Sequence, residues 1–216
     1  MKQQLERSEI RLRRKKTEAI INELKRLFPK TKIALNYSTP IELLVAVVLS
    51  AQTTDKQVNV VTADLFKKYK TLNDYLKIPL SEFEQDVKRI GLYRGKAKNI
   101  KTALGIVSKE YKGKLPDSMS KLIELPGVGR KTANVLLFNI YGKEEGIAVD
   151  THVRRLSNLF GLSNQTDPNK IERDLMGIVP KNEWGNFTYR MIDYGRVYCP
   201  ARCKHTDCPL REFIES

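Results

Sequence analysis

Apolar residues recur three and four positions apart along almost the whole of this 216-residue chain, and the strict alternation of a half-buried strand is nearly absent. That period predicts an all-α protein. Ile20, Leu24, Leu27 and Phe28 form a first stripe, stopped by Pro29. Leu43, Leu44, Val47 and Val48 follow Pro40 in a segment that is apolar nearly all round, which requires burial on every side. Thr54 with Gln57, and Ser81 with Glu84, read as capping boxes that open two further helices. Gly91 should end the second, and an exposed loop, Leu92-Tyr93-Arg94-Gly95, leads into a helix from Lys96 to Tyr111. Beyond Pro116 a short helix from about Ser118 to Glu124 meets a glycine turn, and another runs from Arg130 to Tyr141. Asp150 is placed to cap the next helix, which Gly161 ends, and Asp167-Pro168 opens another in the favoured cap-then-proline order. A last helix, about Asn182 to Val197, feeds a tail that holds every cysteine of the chain.

A chain of this length suits one large domain or two small lobes. Its longest unbroken apolar run, Leu43 to Leu49, is far too short to span a bilayer, and no apolar stretch follows the basic N-terminus as a secretory signal would require. The expected setting is the cytoplasm, at the nucleoid. A net charge of +14 favours a polyanionic partner through counterion release at phosphates. Residues 1–32 carry eleven Lys/Arg against four Glu, half of that excess, and a solvated basic helix face would look the same.

The most specific pattern is Leu122-x-x-Leu125-Pro126-Gly127-Val128-Gly129-x-x-x-Ala133-x-x-Leu136. Leu122, Leu125, Val128 and Leu136 can lock two helices together, and Ala133 permits their close approach. Gly127 and Gly129 remove side chains, so backbone N–H groups of the turn, with Arg130 beside them, can face a phosphate at a helix N-terminus. An αα-corner whose glycines merely permit the turn is the plainer alternative. Lys131 follows in the first turn of the second helix, where it would reach the backbone that the turn grips. Spacing alone reads it as a phosphate-binding lysine; as a neutral amine it could attack an electrophilic sugar carbon and form a Schiff base. Asp150, nineteen residues later in Val149-Asp150-Thr151-His152, is either a helix cap or a carboxylate that takes the lysine proton and stabilises positive charge on the sugar. His152 reads as a packing or surface histidine before a metal ligand.

Four segments carry a resemblance: Ser50-Ala51-Gln52-Thr53-Thr54-Asp55, Ile90-Gly91-Leu92-Tyr93, Leu125 to Ala133, and Val149 to His152. From about Leu27 to Leu210 the chain resembles the endonuclease III family, the helix–hairpin–helix glycosylase/lyases of base-excision repair. The resemblance implies that Lys131 is the Schiff-base nucleophile and Asp150 its catalytic carboxylate. It also implies that Gln52 fills the gap left by an extruded base and that Leu92 wedges into the opposite strand. Extrusion is needed because the sugar–base bond is inaccessible inside a stacked duplex. Relatives without a lysine at the hairpin position remove bases without efficient strand cleavage, so Lys131 argues for the lyase step. Adenine-mismatch relatives are similar over this core but carry a further C-terminal domain, which is not expected here.

The tail departs from the family pattern. The usual tail holds a [4Fe–4S] cluster on four cysteines. Cys199 matches the first, and Cys208, ahead of Pro209-Leu210, matches the third. His205 falls near the second position, Ile214 stands at the fourth, and Cys203 is an extra cysteine, so an all-cysteine cubane is excluded. Three readings follow: Cys199, Cys203, His205 and Cys208 around zinc, a cluster on three cysteines with His205 or an outside ligand, or a vestigial tail held by packing. The vestigial tail is the first expectation, with no cofactor required for catalysis.

The sequence therefore predicts two α-helical lobes with a DNA cleft between them: a central bundle, residues 33–144, and a second lobe from residues 1–32 plus 145–216. The predicted protein is a monomer that acts on double-stranded DNA bearing a damaged base or abasic site, removes oxidised pyrimidines and nicks the strand by β-elimination. The competing functions are a monofunctional glycosylase for mismatched or alkylated bases and a non-catalytic helix–hairpin–helix DNA-binding protein.

Overall fold

In the computed structural model, residues 2–214 are described, with side chains from Glu9 onward, and every regular element among them is helical. The chain divides into two compact units, Ile33–Lys143 and Met1–Lys32 with Glu144–Ser216. None of the described helices is long and apolar enough to cross a membrane.

Helix α1 (Lys2–Leu27) buries Thr17, Ile20, Ile21 and Leu24 on one stripe. Two of its arginines serve the fold. Arg14 Nε donates to the Gly177 carbonyl at 3.0 Å, and the Arg13 guanidinium donates to the Leu162 carbonyl. Cations at carbonyls near helix ends are favourable partners for both the hydrogen bond and the helix dipole.

The unit from Ile33 to Lys143 is built around α2 (Pro40–Ser50), in which Leu43 to Leu49 are consecutively buried. Thr39 and Glu42 cap its start reciprocally. Then come α3 (Asp55–Lys68), α4 (Leu72–Lys77), α5 (Leu80–Asp86), α6 (Tyr93–Glu110), α7 (Met119–Leu122) and α8 (Arg130–Tyr141). α2 packs against α3, α6 and α8, which is why it is apolar on every face. At about 1.5–3 kcal/mol for each large apolar side chain fully buried, this helix anchors the unit.

Several boundaries differ from the sequence reading, each for a local reason. Thr54 does cap α3, its hydroxyl accepting from Gln57 N at 3.3 Å, but the Gln57 amide turns away and donates to the Arg89 carbonyl. The expected Ser81–Glu84 box is absent: Pro79 sits extended at the N-cap (φ −61, ψ 148), so α5 starts at Leu80 and Ser81 lies inside its first turn. α4 is an element the periodicity passed over, opened by a reciprocal Thr71–Asp74 box. α6 begins at Tyr93, not Lys96, because Leu92 takes a left-handed conformation and turns the chain straight into the helix.

The other unit packs α1 with α9 (Thr151–Leu159), α10 (Pro168–Ile178) and α11 (Trp184–Val197), with a 3-10 turn over Lys181–Glu183. Asp150 and Asp167 cap α9 and α10 as the sequence predicts. The core joins Ile20 and Leu24 to Val153, Leu156, Ile171, Leu175, Phe187 and Met191. Glu183 pairs with Lys25 at 2.6 Å and with the buried Arg190 at 2.7 Å, and Arg190 also donates to the Phe28 carbonyl.

Candidate nucleic-acid interface and active-site residues

The glycine hairpin between α7 and α8 is fixed by its own backbone. Leu125 N–H donates to the Leu122 carbonyl at 3.1 Å, and Val128 N–H to the Leu125 carbonyl at 3.0 Å. Gly127 has φ +83, and a Cβ there would lie 3.1 Å from Asn99 Cβ and 3.2 Å from Val48 Cγ1. Leu122, Leu125, Val128, Ala133 and Leu136 are buried, so the two helices are locked as the pattern predicts. Gly129 is the N-cap of α8, in extended backbone, with no side chain capping the helix and open space where a Cβ would stand. Helical geometry leaves the first-turn N–H groups of α8 without intrahelical partners, and the dipole makes that end attractive to an anion. Val128 packs as its place in the pattern predicts, but it is not the backbone donor to a phosphate that its place in the turn suggests. Its side chain is buried and its N–H is spent inside the turn, so it contributes packing. Arg130 and Lys131 are the first two residues of α8, both exposed.

Gln52 and Leu92 share an unusual backbone. Both are exposed, and both have positive φ, +53 and +58. A left-handed residue with a side chain costs about 1–2 kcal/mol, so neighbouring structure must hold it there. Lys96 braces the chain on both sides of Gln52. It is 7% exposed, and its ammonium donates to the Leu49 carbonyl at 2.8 Å and to Thr53 Oγ1 at 3.0 Å. Burial pushes its pKa below the ordinary lysine value. The last turn of α2 and the segment bearing Gln52 are thereby tied to α6 just beyond Leu92. Sequence reading missed Lys96; the available signal was a lysine beside Ala97 and Ile100 on the apolar stripe of α6.

Asp150 takes up the cap: Oδ1 accepts from Val153 N at 2.8 Å, which uses one of its two oxygens. Asp150 belongs to the unit containing α9, and Lys131 to the unit built on α2. His152 packs on α11, where a Cβ added to Gly195 would fall 2.5 Å from its Nδ1, which makes it a packing residue.

In the tail, the Cys199, Cys203, His205 and Cys208 ligand atoms all lie within 4.8 Å of one another, a group that could hold a metal ion. Cys199 and Cys208 are buried in the core of their unit, and Cys203 packs against it. The Cys203 thiol is held below its ordinary pKa by the His205 N–H and by Cys208, while burial pushes Cys208 up to about 12. Arg155 donates from Nη1 to Cys199 Sγ at 3.5 Å and from Nη2 to the Cys199 carbonyl.

Residues 45–181 match the model of the HhH-GPD superfamily of base excision DNA repair proteins. Endonuclease III of Bacillus subtilis is 46% identical over 200 residues, spanning 91% of this chain and 90% of the relative. Endonuclease III of Synechocystis is 44% identical over 190 residues, 88% of this chain and 87% of that one. The chain belongs to the endonuclease III family. Its fold agrees: a solved trapped endonuclease III–DNA covalent intermediate superposes with a TM-score of 0.88 at 43% identity, over 94% of this chain and 95% of that one. The matched residues include the Gln52 and Leu92 loops, the hairpin, Lys131 and Asp150. The family usually carries a [4Fe–4S] cluster, and here the tail does not fit an all-cysteine one. Ile214, at the position of the fourth cysteine, packs against the core instead.

Proposed function

We propose that this protein is a bifunctional glycosylase and abasic-site lyase that removes oxidised pyrimidines from duplex DNA at the nucleoid. The observation that carries the reading is the exposed Lys131 in the first turn of α8, directly after a glycine hairpin whose N-cap brings no side chain. A backbone phosphate held by that helix end would bring the sugar to the amine. With the target nucleotide extruded, Gln52 occupies the gap and Leu92 enters the opposite strand. Lys131 Nζ bonds to C1′ as the glycosidic bond breaks and the base leaves with its electron pair. Asp150 takes the proton lost by the amine and balances the positive charge on the sugar. Ring opening gives the Schiff base, loss of a C2′ proton expels the 3′ phosphate, and hydrolysis returns the amine. The tail carries no step of this chemistry, which needs neither metal nor nucleotide cofactor.

Borohydride trapping on a duplex with one thymine glycol tests the assignment. The wild type should give a covalent adduct, and Lys131→Ala none while its duplex affinity stays within about threefold. Base loss without an adduct in the wild type would make the protein a monofunctional glycosylase; binding with neither would mean a different lesion, or, where an abasic site gives no adduct either, a non-catalytic DNA-binding protein.

A further inference from the structure

The chain has three cysteines and two histidines, and all three cysteines meet one of the histidines in a ten-residue stretch of the tail. Apolar packing does not require this. Leu210, Phe213 and Ile214 already fasten the tail to the core, and Leu210 N–H donates to Tyr194 Oη at 3.1 Å. Four soft donors converge nonetheless. Cys203 Sγ and Cys208 Sγ are 3.2 Å apart, Cys199 Sγ is 3.5 Å from His205 Nδ1, and Cys208 Sγ is 3.8 Å from the same nitrogen.

Those separations choose between metal groups. A single zinc-class ion with thiolate arms of about 2.3 Å and an imidazole arm of about 2.0 Å places its donors roughly 3.5–3.8 Å apart. Thiolates on the corners of a four-iron cubane are spread further, to roughly 6 Å, because an iron–iron edge lies between them. The donors here are all within 4.8 Å, and the fourth cysteine position holds Ile214. We propose that Cys199, Cys203, His205 and Cys208 bind one tetrahedral zinc-class dication in place of the cluster. The backbone is arranged for it. His205 stands at φ +61, a turn that brings its ring back toward the cysteines, and its N–H donates to Cys203 Sγ at 3.3 Å. Three thiolates on a dication leave one net negative charge, and the Arg155 guanidinium beside Cys199 offsets it. The ion's role is structural: it closes the tail onto the unit that carries α9.

The test uses the full chain, produced with iron and zinc both supplied and purified without chelator, with metal and acid-labile sulfide measured by mass. One zinc per chain, no sulfide and no visible charge-transfer absorption is the expected result. Cobalt(II) added to the metal-free protein should then give ligand-field bands of a tetrahedral site with thiolate charge transfer. His205→Ala should weaken zinc binding by at least tenfold, and His205→Cys should keep one ion while shifting the cobalt bands. Iron with matching sulfide would overturn the proposal. So would a chain that contains no metal and takes up none from stoichiometric zinc against a chromophoric chelator, or a Cys203–Cys208 disulfide in freshly purified protein. Metal content is read without DNA, so this result and the glycosylase assignment stand or fall separately.

Discussion

Gly127 and Gly129 lie two positions apart and do different work. At Gly127 a methyl group would meet Asn99 and Val48 in a left-handed backbone, so Gly127→Ala should destabilise the protein by about 2–4 kcal/mol, read from denaturant unfolding. Gly129 has ordinary extended backbone and open space. Gly129→Ala should stay within about 0.5 kcal/mol of wild type in stability yet bind duplex roughly tenfold more weakly, because the methyl keeps a phosphate from the helix end. Equal affinity for the two proteins would mean that the hairpin is only a corner. The pattern of apolar residues and glycines made this element legible from sequence, since each of its parts is local. Val128 shows the limit: spacing placed it in the turn but could not tell that its N–H is already used.

Helices were legible where their signals lay within a single turn, as in the Asp150 and Asp167 caps, which have their N–H donors three residues on. They were missed or misplaced where a neighbour decided. α4 has six residues, too few to show a period, and the left-handed state of Leu92 has no signature in a leucine. The same dependence on neighbours hid Lys96. Because its ammonium joins the end of α2 to Thr53, Lys96→Met should cost about 1–2 kcal/mol, leaving the Leu49 carbonyl without its charged donor. The segment bearing Gln52 should loosen at the same time. Hydrogen exchange at Thr53, whose N–H donates to the Ser50 carbonyl at 3.1 Å, should quicken more than exchange within α2. Faster exchange everywhere in the unit would make Lys96 a general stability residue, and unchanged exchange would remove it from the support of Gln52.

Across the whole molecule the +14 charge is not one quantity, because its arginines and lysines are committed to different degrees. The first 32 residues hold half of the excess, which makes α1 look like a DNA-binding arm. Yet Arg13 and Arg14 are bonded to carbonyls at Leu162 and Gly177, whereas Arg11 and Lys15, exposed as Arg14 is, make no such bond among the described residues. Removing residues 1–16 would therefore mix a loss of fold with a loss of charge. The cleaner comparison neutralises the pairs separately. Arg13→Gln with Arg14→Gln should lower the melting temperature and leave the salt dependence of duplex binding nearly as it was. Arg11→Gln with Lys15→Gln should leave melting unchanged and reduce the slope of log affinity against log salt by up to about 2, near 0.9 for each phosphate no longer neutralised. A slope unaltered by the second pair would mean that Arg11 and Lys15 touch no phosphate, and the counterions released from the DNA must then be displaced by cations elsewhere on the protein.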